Sequence, residues 1–364
     1  MKPIAVIGAG GYVGARLLEM SVLRGHLPIV PIVRSWRSQG RLARFGVQTV
    51  TGDASSAESL IPLLKGCGMA VNLTMGDNAR IVSDVQAMYH ACRAAGVPVL
   101  VHMSSAEVFG RAETPGLRED SVPDWHHWME YGRAKAAAES WLRAQFDGPV
   151  KVVIMRPGLI WGPGSGWLAQ PAQLLADGTA YLFNEGRGIC NLIHVDNLIQ
   201  HLEQLARACA TDSAVFNVSD PEELTWSDYY GAIATEIGVA ESTIRLLPDT
   251  AFRENALDKV LALTELAPVK AVKSRLAVAT KVRVRQQIMD RMQPPIREAE
   301  SSQPELAIAK SLWWLQGVKT KLPSGAFLHA YPETHLRSFY ELMPAAGEWL
   351  RFAGFAAEEA KPHW

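Results

Sequence analysis

An apolar, β-branched run that breaks directly into a glycine-rich turn leaves this chain few architectures. Ile4-Ala-Val-Ile7 reads as a strand buried on both faces, and it passes at once into Gly8-Ala-Gly-Gly-Tyr-Val-Gly14. A helix from Ala15 to Arg24 follows. Glycines at such a turn let the backbone approach a pyrophosphate, whose charge is met by the first amides and the positive dipole end of the helix. The spacing is Gly8-x-x-Gly11-x-x-Gly14 with Gly10 as an extra member, so Gly8, Gly10, Gly11, Tyr12, Val13 and Gly14 are the candidate cofactor-binding residues. A tight strand-to-helix turn without a ligand is the bland alternative.

The pattern then repeats. Ile29 to Val33 reads as a second strand, ending at Arg34-Ser-Trp-Arg37, where the adenosine ribose of a dinucleotide would lie. No acid stands there to accept the 2'-hydroxyl of NAD, whereas Arg34 and Arg37 suit the 2'-phosphate of NADP, so NADP is expected, with NAD as the alternative. Val47 to Val50 is a third strand leading to Asp53, which either takes the adenine amino group or caps the helix starting near Ser56. Ala70 to Thr74 and Val97 to Met103 are further strands, separated by a helix from Asp77 to Ala95 that Gly96 and Pro98 stop. Strands alternating with helices of this length imply a Rossmann-like α/β fold with a doubly wound parallel sheet, whose ligands sit at the carboxyl ends of the strands. The glycine turn, Arg34, Thr74 and Ser105 all fall at such ends.

Composition excludes more than it names. The 364 residues are 48% hydrophobic, with a formal net charge of -1, which gives no long-range field for nucleic acid or an anionic membrane. No run approaches the ~20 apolar residues of a spanning helix, and glycines interrupt the apolar start before a signal peptide could form. The four cysteines, Cys67, Cys92, Cys190 and Cys209, lie far apart without metal-ligand spacing and read as free thiols of a reducing, cytoplasmic compartment.

Tyr131-Gly-Arg-Ala-Lys135 supplies candidate chemistry. Four residues along a helix bring a phenol and an ammonium to one face. A tyrosine hydroxyl ordinarily titrates near pH ~10, and an adjacent lysine cation lowers that value towards acid-base usefulness. Val101 to Gly110 is an apolar strand whose polar end carries Ser104, Ser105 and Glu107, where a hydroxyl can hold a substrate oxygen. Glu107 is either an extra base at the substrate or a cap or salt bridge to Arg111.

Five stretches together resemble the extended short-chain dehydrogenases/reductases, the group that includes NAD-dependent epimerases and dehydratases. They are Gly8-x-x-Gly11-x-x-Gly14, Ser104-Ser-Ala-Glu-Val-Phe-Gly110, Tyr131-x-x-x-Lys135, Arg156-Pro-Gly-Leu-Ile-Trp-Gly-Pro-Gly164 and Ile193-His-Val-Asp-Asn-Leu198. The resemblance covers roughly residues 1 to 230 and is looser at Glu348 to Gly354. It implies that Ser105 bonds the reacting oxygen, that Tyr131 gives or takes the proton, and that Lys135 binds the nicotinamide ribose and lowers the tyrosine pKa. It also implies a homodimer and places Pro157 at the cofactor. Ala106 stands where the dehydratases carry the first of two acids, with Glu107 at the second, which weakens that reading.

Between Ser105 and Tyr131, the aromatic run Trp125-His-His-Trp128 is expected to line the substrate cleft, through Trp125, His127 and Trp128. Trp161 and Trp167 add aromatic surface, so the small-molecule substrate is expected to be aromatic or apolar. No carboxylate or cysteine at ligand spacing completes a metal site. Residues 1–165 and about 190–220 are assigned to the dinucleotide-binding domain, and about 166–189 and 221–364 to a smaller, mainly helical substrate lobe. Thr250 to Glu265 reads as a helix, Lys270 to Arg297 as a basic segment that is either a solvated face or a site for a substrate's phosphate or carboxylate or a partner's acidic surface, and Pro304 to Phe355 as helical packing of the lobe. The expected function is hydride transfer at a carbinol or ketone; a sugar-nucleotide epimerase or dehydratase, and a non-catalytic NADP(H) sensor or scaffold, are the alternatives.

Overall fold

The computed structural model describes residues 2–25, 27–125, 129–208, 212–247 and 312–355. Strands β1 (Ile4–Ile7), β2 (Ile29–Val33), β3 (Val50–Thr51), β4 (Met69–Asn72), β5 (Val99–Met103) and β6 (Lys151–Pro157) join a distant tenth strand, Ala214–Val218, in one seven-stranded sheet. Its order is tenth-β6-β5-β4-β1-β2-β3, and every pairing is parallel. β1 is the pivot: Ile4 pairs with Ile29 on one side and Met69 on the other. Strand order reverses between β1 and β4, the crevice where a doubly wound sheet accepts ligands.

Helices cover both faces because each carries an apolar stripe at helical spacing. One face packs α1 (Tyr12–Arg24) through Leu17 and Leu18. The other packs α3 (Ala57–Leu64) through Leu60 and Leu64, α4 (Ile81–Ala95) through Val85 and Met88, and α5 (Glu130–Arg143) through Ala138 and Leu142, whereas α2 (Trp36–Leu42) buries only Leu42, which joins the α1 side. Past β6 come β7 (Leu159–Trp161), α6 (Gly166–Ala176), β8 (Tyr181–Phe183), β9 (Leu192–His194) and α7 (Val195–Ala208). Beyond the tenth strand, β10, lie α8 (Trp226–Ile237), β11 (Arg245–Leu247), α9 (Gly325–Ala330) and α10 (Phe339–Phe352). α7 returns to the first sheet face through Leu198, Ile199 and Leu202. α6, α8 and α10 enclose a second core around Trp161, Tyr230 and Phe339.

The sheet agrees with the sequence, and the differences are local. α1 starts at Tyr12, since Gly11 is already its N-cap. β3 shrinks to two residues, because β2 ends where its pairing begins: only Ile32 and Val33 face it, opposite Val50 and Thr51. A short 3-10 turn, Asn78–Arg80, which Asp77 caps through Ala79, precedes α4. The closing segment divides: α10 enters the lobe core, but Phe327 of α9 packs on the sheet face against Phe216 and His201. Residues before α9 cross the molecule as a clasp. Gln316 accepts from the Phe183 amide at 2.7 Å, Val318 accepts from the Ile189 amide at 2.8 Å, and Ser324 donates to the Ser219 carbonyl at 2.8 Å. The 250–265 helix and the 270–297 basic segment expected from the sequence lie outside the described residues. No helix among the described residues is long and apolar enough to cross a membrane. Cys67, Cys92 and Cys190 are buried free thiols.

Candidate active site

The glycine turn is shaped by close approach. Gly8 has φ +90°, and a Cβ there would lie 3.0 Å from the Leu73 carbonyl carbon, where β1 and β4 part. A Cβ on Gly14 would meet Ala9 Cα at 2.6 Å. Side chains are therefore excluded where a dinucleotide's backbone contacts would be made. Gly11 caps the 13-residue α1 with no side-chain bond, and no acid occupies the first turn. The amides and the positive dipole end thus suit a diphosphate. Tyr12 turns away and donates to the Trp161 carbonyl at 3.4 Å, tying the turn to β7, while Val13 packs on the sheet-face core.

The remaining cofactor candidates surround the same crevice. Thr74 bonds Asn72 Oδ1 through its amide at 3.0 Å and its hydroxyl at 2.7 Å; Asn72 Nδ2 in turn meets His102 Nδ1 at 3.0 Å. Arg34 and Arg37 stand exposed just past β2, and the Arg37 guanidinium lies 5.5 Å from the Trp36 ring centre. Asp53 is not the helix cap: Ser56 takes that role by accepting from the Ser59 amide. The Asp53 carboxylate instead accepts from the Ser55 amide and hydroxyl, which lowers its pKa, with Arg80 and Arg34 acting in the same direction. These features fit a nicotinamide dinucleotide, held by the Gly8–Gly14 turn and flanked by Thr74, Arg34 and Arg37.

α5 presents the chemistry. Tyr131, Lys135 and Glu139 follow one another at intervals of four residues, so they share a face. Ser105 lies two residues past β5, where its hydroxyl is close enough to act on the Tyr131 phenol. Burial pushes the Tyr131 phenol up to about 12; the Ser105 bond works against that rise and the Glu107 charge adds to it. The expected fall in the tyrosine pKa is thus reversed. The reason is geometric as well: the Lys135 ammonium donates to the Met103 carbonyl at 2.7 Å and lies 5.7 Å from the Tyr131 ring centre. Burial lowers Lys135 itself from 10.5 to about 8, against the pull of Glu139.

The Lys135 shift has a definite sign. A lysine whose folded pKa is depressed penalises the fold while it is protonated, and the penalty is present in full below pH about 8. It is relieved as pH rises from about 8 towards the ordinary 10.5. The stability of the wild type relative to Lys135→Met is therefore expected to rise between pH 7 and pH 10. Guanidinium denaturation of both proteins across that range measures it; a flat or falling difference would contradict the buried ammonium.

Beneath this face lies a network that the sequence did not reveal. Glu139 is 1% exposed and Arg156 is fully buried, and they pair at 2.6 Å through Nη2 and Oε2. Ser104 donates to Glu139 Oε1 at 2.5 Å, and the Arg156 guanidinium rests over the Phe109 ring at 4.7 Å. The signals were present but mute: a carboxylate one turn beyond Lys135, and an arginine that follows four apolar residues in β6.

A pocket opens beside Ser105, with Glu107, Pro157, Leu159, Trp226 and Val318 in its wall. Pro157 therefore faces this pocket. Ser105 caps the short turn Ala106–Phe109 by accepting from the Glu107 amide, and the Glu107 carboxylate accepts from the Trp314 indole at 3.1 Å. Arg111 is stacked 3.9 Å from the Trp313 ring centre. Trp313 and Trp314 were missed as neighbours of the site because they arrive some 200 residues later. Trp125 is 44% exposed, and His127 and Trp128 lie outside the described residues. Trp161 corrects the expectation of cleft-lining aromatics. It is fully buried in the second core, its indole donating to Asp220 at 2.7 Å, because a large ring with a single donor packs well where one acceptor waits. Trp167 is half-buried against the same core, and its carbonyl accepts from the Tyr229 hydroxyl.

Comparisons with known proteins agree with this fold. The description "NAD dependent epimerase/dehydratase family" belongs to the family model that matches residues 4–219. A 2-alkyl-3-oxoalkanoate reductase of Stenotrophomonas maltophilia is 27% identical over 272 residues, covering 70% of this chain and 81% of the relative. Among solved structures, DesIV, a dTDP-glucose 4,6-dehydratase from Streptomyces venezuelae with NAD bound, superposes with a TM-score of 0.67 at 16% identity, covering 96% of this chain and 97% of that one. A dTDP-glucose 4,6-dehydratase from Bacillus anthracis in complex with NAD gives 0.69 at 12% identity, covering 98% and 99%.

Proposed function

The chain belongs to the NAD dependent epimerase/dehydratase family, and from that premise we propose that it reduces a ketone on an apolar substrate to a carbinol, using NADPH. The observation that carries this reading is the Ser105–Tyr131 pair, with Ser105 in the wall of a largely apolar pocket and the phenol held at about 12. A hydroxyl that keeps its proton at neutral pH is a donor, which is what ketone reduction needs. The relation to a 2-alkyl-3-oxoalkanoate reductase supports the reaction, reduction of a ketone on an alkyl chain.

In this mechanism Ser105 and Tyr131 hold the ketone oxygen between two hydroxyls, fixing the carbonyl carbon for attack. The nicotinamide, when bound, supplies the hydride to that carbon. Tyr131 gives its proton to the oxygen as the charge develops, and the phenolate is later reprotonated from solvent. Lys135, one turn along α5 and held by the Met103 carbonyl, would meet the ribose hydroxyls of the bound cofactor. The second reading, a sugar-nucleotide epimerase or dehydratase, draws support from Glu107 in the pocket wall. Ala106, in place of a first acid, weighs against the dehydratase form. The proposal includes a cytoplasmic homodimer, on composition and family resemblance.

NADPH is preferred in this reading because Arg34 and Arg37 stand at the end of β2 in a stretch, Arg34 to Arg37, that itself carries no acid. Calorimetric titration is expected to give tighter binding of NADPH than NADH. Arg34→Ala should weaken NADPH by about 10- to 100-fold, the worth of a charge-assisted bond, and leave NADH unchanged. Tighter binding of NADH to the wild type would sink the NADP assignment and favour the epimerase.

A further inference from the structure

The pocket beside Ser105 contains one buried donor that the protein leaves unused. Trp226 is the first residue of α8, lines this pocket and is 1% exposed, yet its indole N–H has no hydrogen-bond acceptor among the described residues. A buried donor without an acceptor is costly, and native structures rarely tolerate one unless water or a ligand completes it. The neighbouring polar groups are committed elsewhere. Asn191, in the same wall, donates to the Thr320 carbonyl at 2.9 Å and accepts from the Leu322 amide at 2.9 Å. Ser105 is bonded to Tyr131, and Glu107 accepts from Trp314.

Charge narrows what the donor can meet. Among the described lining residues the one charged side chain is Glu107, a carboxylate, and most of the others are apolar. Such a wall repels a carboxylate or diphosphate and admits hydrocarbon. We propose that Trp226 determines specificity by donating its indole N–H to a neutral carbonyl or ester oxygen of the substrate, which makes the substrate an alkyl ketone carrying a second, uncharged oxygen acceptor. The proposal rests on the ketone-reductase reading of the Ser105–Tyr131 site, which it refines.

The test uses the full-length protein loaded with NADPH and labelled with 15N at tryptophan. The Trp226 indole signal is identified by its loss in Trp226→Phe, whose remaining indole signals report that it is folded; Trp226→Tyr serves if the Phe variant does not fold. Ethyl 3-oxooctanoate is expected to move the Trp226 signal, and calorimetry should give about tenfold weaker binding of this ester to Trp226→Phe, the worth of one hydrogen bond. 2-Octanone, with no second oxygen, should bind both proteins alike. An unmoved signal, equal ester affinities, or tighter binding of 3-oxooctanoate or UDP-glucose than of the ester would overturn the proposal. NADPH consumption separates the two readings. Ester binding that moves Trp226 without consuming NADPH supports the Trp226 contact and removes the reductase reading. Reduction of the ester equally by wild type and variant leaves the reductase and removes the contact.

Discussion

Tyr131→Phe is expected to lower kcat by about 10²- to 10⁴-fold, the usual worth of a positioned acid-base group, while NADPH affinity stays at its wild-type value. The substitution removes one oxygen and keeps the ring that lies 5.7 Å from the Lys135 ammonium, so α5 has no reason to move. Ser105 loses its partner and retains its bond from the Glu107 amide. Steady-state reduction of ethyl 3-oxooctanoate, with calorimetry for NADPH, separates chemistry from binding. Turnover near the wild-type rate would remove Tyr131 from the mechanism; equal loss of turnover and of NADPH binding would assign it a structural role.

Glu139→Ala should be the most destabilising single change near the site. The variant would leave Arg156 fully buried, with only the Glu119 carbonyl at 3.2 Å and the Phe109 ring for company. Breaking a buried pair from one side costs about 3–5 kcal/mol, and guanidinium denaturation would report it. The cost arises from the stranded charge, so Glu139→Leu combined with Arg156→Met is expected to recover most of the loss. A single-variant loss below about 1 kcal/mol, the range of exposed pairs, would mean that water reaches the guanidinium. Activity should fall with stability in the single variant, because Glu139 anchors the helix that carries Tyr131 and Lys135.

Local signals were read well wherever the local chain decides the structure. The helix Trp226–Ile237 has both of its ends written in nearby sequence: Thr225 and Asp228 form a capping box, and Gly238 takes the left-handed conformation at the other end. β1 and its glycine turn were legible for the same reason. What failed depended on partners far away in the chain. Whether Trp161 faces ligand or core is decided by Asp220, 59 residues on, and the neighbour of Glu107 is Trp314, 207 residues on. β3 shortened because its length belongs to its pairing with β2 and not to its own propensity. The Tyr131 pKa went the other way because spacing alone predicts an adjacent charge but says nothing about how deeply the phenol is buried or where the ammonium points.

The clasp formed by residues 316–324 has a consequence for the order in which the protein comes into being. The glycine turn, Ser105, Tyr131 and Lys135 all leave the ribosome well before Leu315, Val318 and Leu322, which close the pocket beside them. At roughly 5–20 residues per second, the interval between the end of the sheet and the arrival of that wall is several seconds or more. A nascent chain therefore has the parts for gripping a dinucleotide before it has those for choosing a substrate. The same separation lets substitutions in one late, contiguous stretch retune what is bound while the hydroxyls and the ammonium stay as they are.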